Sequence, residues 1–147
     1  MQTQSDGSSV AARCEFHGAY VQELAAMEPF HAVTTILVSQ FITDRARRVD
    51  FFRDLAQRLQ PDGVLITADL TTAPAGQHEG LLGVWLEMMR HVGAEEAQIQ
   101  TMLAAYGRDV ALLTVAEIES LLADAGFVAP VRFSQSLLIQ AWFARKA

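Results

Sequence analysis

The 147 residues include one cysteine, four prolines, nine glycines with no two spaced as G-x-G, and no apolar run of membrane-spanning length. Each scarcity excludes something. Cys14 alone forms no internal disulfide, and no Cys or His grouping has zinc-ligand spacing, so a reducing cytoplasm is expected and no metal site is. A membrane span needs about 18 apolar residues. The opening MQTQSDGSS lacks the basic and apolar regions of a secretion signal. Basic residues are also few, 11 Lys and Arg against 17 Asp and Glu, for a net charge of -6. A surface of that sign does not attract a phosphate backbone or an anionic membrane, so neither is an expected partner. Small neutral or cationic ligands and other proteins remain.

Hydrophobic residues make up 51% of the chain and charged ones 19%, a composition that folds and, at this length, fills one core. Residues 1–10 read as a flexible polar N-terminus and 11–147 as the domain. Ala11 to Phe16 has the composition of a short strand. Ala32 to Val38, within FHAVTTILVSQFI, is wholly apolar or β-branched, as in a strand buried on both faces of a parallel sheet. Thr43 can cap the next helix, with Asp44 in its first turn. Val49, Phe52, Leu55 and Leu59 recur at intervals of three and four, opposite a face of Arg47, Arg48, Asp54 and Arg58 that reads as solvated.

Pro61-Asp62-Gly63 should end that helix, and Val64 to Leu70 reads as a second buried strand, giving a right-handed βαβ unit. Helices are expected over His78 to Val92 and Glu95 to Tyr106. Thr114 and Glu117 form a capping box, with Leu113 and Ile118 as its hydrophobic staple. Phe127 to Phe133 and Leu137 to Phe143 read as a hairpin turning at Ser134-Gln135-Ser136. Pro130 cannot donate to a ladder, which puts the first of these strands at a sheet edge.

The ordered set of FHAVTTILVSQFI, RLQPDGVLITADL, LLADAGF and LLIQAWFARK resembles the later half of a class I S-adenosylmethionine-dependent methyltransferase, over roughly residues 12 to 146. The resemblance implies an α/β fold: a partial Rossmann-like sheet, strands 3 to 7 of the family order, with helices on both faces and a C-terminal antiparallel hairpin. It implies that 78–106 is a helical substrate-covering insertion. It also implies S-adenosylmethionine as cofactor, with His17, Gly18, Ala19, Val38, Ser39 and Gln40 at its site. Trp85, Met88, Met89 and Tyr106 would line a pocket for a small-molecule acceptor. His31 stands where the family has Asp, and no catalytic side chain is assigned. The family's glycine-rich turn and the acidic residue that binds the ribose belong to its first two strands, which have no counterpart here.

Two functions follow as expectations. One is methyl transfer to a small acceptor by a parent enzyme of which this chain is a shortened form. The other is a non-catalytic domain that self-associates, or takes a complementing chain, through the open edge of strand 32–38.

Overall fold

The computed structural model describes residues 11–25 and 27–147; the segment 1–10, expected to be flexible, lies outside the described residues. Four strands, β1 (Phe30–Ile36), β2 (Leu59–Leu70), β3 (Phe127–Ser136) and β4 (Ile139–Lys146), form one mixed sheet in the order β1-β2-β4-β3. β1 and β2 are parallel, with Val33 opposite Leu65 and Ile36 opposite Ala68. A parallel pair needs a crossover, supplied here by helix α1 (Arg45–Gln57). β4 runs antiparallel to both its neighbours.

One sheet face is covered by α1 and by α4 (Val115–Asp124). Val49, Phe52 and Leu55 of α1 and Ile118, Leu121 and Leu122 of α4 close on Leu65, Trp142 and Ala144. Each large apolar side chain so enclosed contributes about 1.5–3 kcal/mol relative to exposure. A second, smaller cluster of Leu70, Val110 and Leu138 packs with Leu81 and Trp85 of α2 (His78–His91) and with Tyr106, just after α3 (Glu96–Ala105). The segment 78–106 is thus a helical pair gathered around the last residues of β2.

The capping box forms as expected: Thr114 Oγ1 accepts from Glu117 N at 3.2 Å, and Thr114 N donates to Glu117 Oε2 at 2.7 Å. Other expectations shift. Residues 11–13 make a 3-10 turn, and Cys14 and Phe16 are exposed, so Ala11 to Phe16 is not a strand. No neighbouring strand among the described residues takes its backbone groups, and an unpaired strand does not hold. Helix α1 is capped by Asp44, whose Oδ1 accepts from Arg47 N at 2.9 Å, rather than by Thr43.

β1 is not buried on both faces. It lies at the sheet edge, and Ala32, Thr34 and Ile36 are exposed while Thr35 is buried. Pro61-Asp62-Gly63 bulges out within β2, between the Phe30/Leu59 and Ala32/Val64 pairs, instead of preceding the strand. Gly63 is required there, since a Cβ would stand 2.8 Å from the Gln60 carbonyl oxygen. The hairpin turns at Leu137 and Leu138, not at residues 134–136, because Gln135 and Ser136 pair with Gln140 and Ile139. Burial of Leu138 in the second cluster holds that register. Pro130 does sit in an edge strand, and β4 lies inside the sheet.

Candidate functional site

Ligands of open α/β sheets gather at the carboxyl ends of parallel strands. At the end of β1, Leu37 adopts φ 56°, a left-handed conformation uncommon for a branched residue. Its N–H still donates to Ala68 O at 2.7 Å. The chain then forms a 3-10 turn, Ser39–Phe41, that folds back toward the end of β2.

There a buried polar cluster joins four segments: the turn itself, the end of β2, α1 and the stretch before α4. Ser39 Oγ donates to Asp69 Oδ2 at 2.7 Å, and Gln40 N donates to Asp69 Oδ1 at 3.0 Å. Gln40 Oε1 accepts from Leu70 N at 2.9 Å, and Gln40 O accepts from Ala111 N at 2.9 Å. Arg48 reaches in from α1, its Nε donating to Ser39 Oγ at 2.9 Å and its Nη1 to Ala111 O at 3.2 Å. Arg48 Nη2 stands 3.5 Å from Asp69 Oδ2, and both side chains are at most 1% exposed. Burial pushes the Asp69 carboxyl up from its ordinary value, against the downward pull of Arg48 and of the hydrogen bonds from Ser39, Gln40 and Arg48. Burial likewise lowers the Arg48 guanidinium.

Arg48 is therefore a buried ion-pair partner rather than part of a solvated face. Its spacing carries the signal: 48, 52 and 55 fall on one face of α1, while Leu59, expected on the same helix, is the first residue of β2. Asp69 is the one charge in the apolar string VLITADL, and a buried carboxylate needs a paired, hydrogen-bonded setting. Neither residue was a sequence-level site candidate.

The expected site residues separate into groups. Ser39 and Gln40 spend their polar atoms on this cluster. Ala19 and Val38 line one groove of about 600 Å³ with Tyr20, Phe41, Arg47 and Asp54. His17 and Gly18 are exposed and do not line it; His17 Nε2 stands 3.2 Å from Glu15 Oε1. Trp85, Met88 and Met89 come together in an apolar pocket of about 290 Å³ closed by Val92 and by the hairpin residues Ser136, Leu137 and Ile139. Tyr106 is not in it. Its ring packs in the cluster around Leu70, Val110 and Leu138, its hydroxyl is buried without a hydrogen bond, and burial raises its pKa.

These residues do not fit the whole of S-adenosylmethionine. The groove offers aromatic walls, and its carboxylates, Asp50 and Asp54, lie on α1 rather than at the end of a parallel strand, where the ribose carboxylate of such a site stands. Asp69, at a strand end, is committed to Ser39, Gln40 and Arg48. No glycine pair among the described residues leaves backbone open at the end of a parallel strand. Nor do the described residues contain a cluster of His, Cys, Asp or Glu able to hold a metal ion, or a helix long and apolar enough to cross a membrane.

No protein-family model matches the chain, and comparison with curated proteins gives no match. Solved structures do match. A possible exported protein from Bordetella parapertussis superposes with a TM-score of 0.68 at 22% identity, over 95% of this chain and 46% of that one. The S-adenosylmethionine-dependent methyltransferase SibL in its apo form gives 0.60 at 15% identity, over 88% and 35%. Human N-acetylserotonin methyltransferase in complex with SAM gives 0.59 at 14% identity, over 90% and 33%. The chain has the α/β fold of S-adenosylmethionine-dependent methyltransferases, with a four-stranded mixed sheet and a C-terminal antiparallel hairpin. It spans less than half the length of these solved chains.

Proposed function

We propose that the chain is the acceptor-side half of a methyltransferase that transfers a methyl group from S-adenosylmethionine to a small apolar molecule, the cofactor's glycine turn and ribose carboxylate coming from outside these residues. The observation that carries the reading is the sheet itself: a parallel β1/β2 pair continued by antiparallel β4 and β3, shared with methyltransferases over about nine-tenths of the chain. The apolar pocket of Trp85, Met88 and Met89 supports a small, uncharged acceptor, since its walls carry no charged group. Ala19 and Val38 would wall the groove nearest the cofactor, and the cluster of Arg48, Asp69, Ser39 and Gln40 would hold the strand-end turn between groove and sheet. Methyl transfer between two aligned groups gains most of its acceleration from proximity, so no acid-base pair is required of this half.

The test has two arms. Calorimetry of the full chain with S-adenosylhomocysteine is expected to show no micromolar binding; micromolar affinity would overturn the incomplete-site reading. The genomic DNA upstream of the Met1 codon is expected to encode a G-x-G turn after an apolar strand, in frame or in an adjacent gene. Co-expression of that segment should yield methyl transfer from labelled S-adenosylmethionine to a phenolic acceptor, and a reconstituted pair without transfer would sink the proposal.

A second reading, a non-catalytic domain that binds a partner or a second copy through the β1 edge, is favoured by one observation. The outer side of β1 has no strand partner among the described residues, and Phe30 and Ile36 are exposed along it. A stable complex that forms through this edge and shows no methyl transfer would select it.

A further inference from the structure

The sheet has a second face, opposite the one that α1 and α4 cover. There Thr34, Ile66, Phe143 and Val131 stand side by side in register across all four strands. Their neighbours along the inner strands, Leu65, Trp142 and Ala144, point the other way into the core. Helices α2 and α3 gather at the strand ends, and none of the described helices packs on this row. Ile36, Val131 and Phe133 are accordingly 53%, 49% and 57% exposed, and Ile66 and Phe143, on the inner strands, are only half-buried.

The sequence of this face is not that of a solvated one. A sheet with one wet side alternates apolar with polar side chains. β2 and β4 instead put Val64 and Ile66, Ala141 and Phe143 at the outward positions, so the inner strands are apolar on both faces. Three strand spacings of about 4.8 Å make each row about 14 Å wide between its outer strands. A helix is about 10–12 Å across, so two helices are needed to cover it, as α1 and α4 do on the other face.

Arg145 brings the one charge to these rows, in register between Val64 and Val128. Its guanidinium lies 5.8 Å from the centre of the Phe143 ring, and its Nη1 donates to the Asp62 carbonyl at 3.3 Å. No carboxylate among the described residues pairs with it. Once covered, a guanidinium needs an anion to hydrogen-bond. A second copy laid on this face would bring another Arg145 and no carboxylate in the facing rows. A different segment with an acidic side chain would supply one. The matched solved chains carry more than half their length outside the shared fold, room enough for two helices.

We propose that this face receives two amphipathic helices of the cofactor-side segment, one of them placing an Asp or Glu against Arg145. The inference rests on the reading that such a segment lies outside these residues, and it assigns the surface and the chemistry by which the two halves join. The contact reaches across the sheet to β4 and β3, far beyond the β1 edge.

Sedimentation of the full chain co-expressed with the segment encoded upstream of the Met1 codon tests it. A one-to-one complex is expected, weakened by about tenfold or more in V131E/F133E and again in R145E. Val131 and Phe133 are exposed on an edge strand, so the urea midpoint of the chain alone should hardly move. In C14S/V131C the introduced thiol should react with iodoacetamide about tenfold more slowly in the complex than in the chain alone. A complex that V131E/F133E and R145E leave unchanged, with position 131 still reactive, would overturn the proposal even if the pair transfers methyl groups. A dimer of the chain alone that V131E/F133E dissolves would also overturn it, because a second copy would then occupy the face. A complex that needs this face but transfers no methyl group would uphold the contact and sink the methyltransferase reading. Absence of any such segment would overturn both.

Discussion

The guanidinium of Arg48 and the carboxylate of Asp69 stand 3.5 Å apart with almost no solvent access, and Ser39 Oγ bridges them by donating to one and accepting from the other. A helix residue and a strand-end residue thus fix the turn that follows β1.

Breaking a buried pair on one side leaves an uncompensated charge, at a cost of about 3–5 kcal/mol. R48M and D69L are each expected to destabilise the chain by that amount in urea unfolding. The double variant should cost clearly less than the sum of the two, because the charge left by either single change is gone. Strict additivity would mean that the two groups do not act as a pair.

The Asp69 carboxyl titrates above its ordinary value of 3.8 because it is buried. The folded state therefore holds that proton more tightly than the unfolded one. Its contribution is fully present below pH 3.8 and is lost as pH rises through the folded value. The wild-type melting temperature, compared with that of D69N over this window, should decline with rising pH by the larger amount; parallel curves would refute the assignment.

Glu117 shows the opposite sign. Hydrogen bonds from the Thr114 backbone and hydroxyl hold its carboxyl below the ordinary 4.5, so the capping box stabilises above that pH and weakens as pH falls through the folded value. T114A is expected to cost about 1 kcal/mol at neutral pH. Its penalty, read by denaturant titration, should shrink in acid.

Gly63 has backbone against it. Alanine at this position would force Cβ to within 2.8 Å of the Gln60 oxygen, and overpacking of this kind costs about 1–3 kcal/mol. G63A should lower the unfolding midpoint, whereas G18A, with open space around it, should leave it nearly unchanged.

The exposed flank of β1 invites strand pairing between copies, and an inserted lysine blunts such edges. I36K replaces a side chain that is half exposed, so stability should change by no more than about 0.5 kcal/mol. Turbidity on heating should appear later. An unchanged onset would show that aggregation starts elsewhere.

The periodic elements were readable because their signals are local. Val49, Phe52 and Leu55 marked α1, and Thr114 with Glu117 marked the start of α4 to the residue. What failed depended on neighbours. Ala11 to Phe16 has strand composition but nothing beside it, and Ala32 to Val38 has buried-strand composition but lies at an edge. The hairpin turn moved from three polar residues to Leu137 and Leu138 because pairing with β4 outweighs turn preference. Trp85, Met88 and Met89, named through the family resemblance, line one apolar pocket, whereas Tyr106 lies apart from them. Ser39 and Gln40 were placed at the right strand end, but the partners that claim them, Arg48 and Asp69, lie 9 and 30 residues from Ser39. Linear spacing does not register such a cluster.

The interior position of β4 also has a consequence for synthesis. β2 is flanked by β1, made before it, and by Ile139–Lys146, made some seventy residues after it. At roughly 5–20 residues per second, the ribosome needs several seconds to pass from Leu70 to Lys146. Throughout that interval the apolar residues of β2 wait with one side unpaired. The nascent chain is thus most open to chaperones, and to improper pairing with other chains, in the interval before β4 emerges.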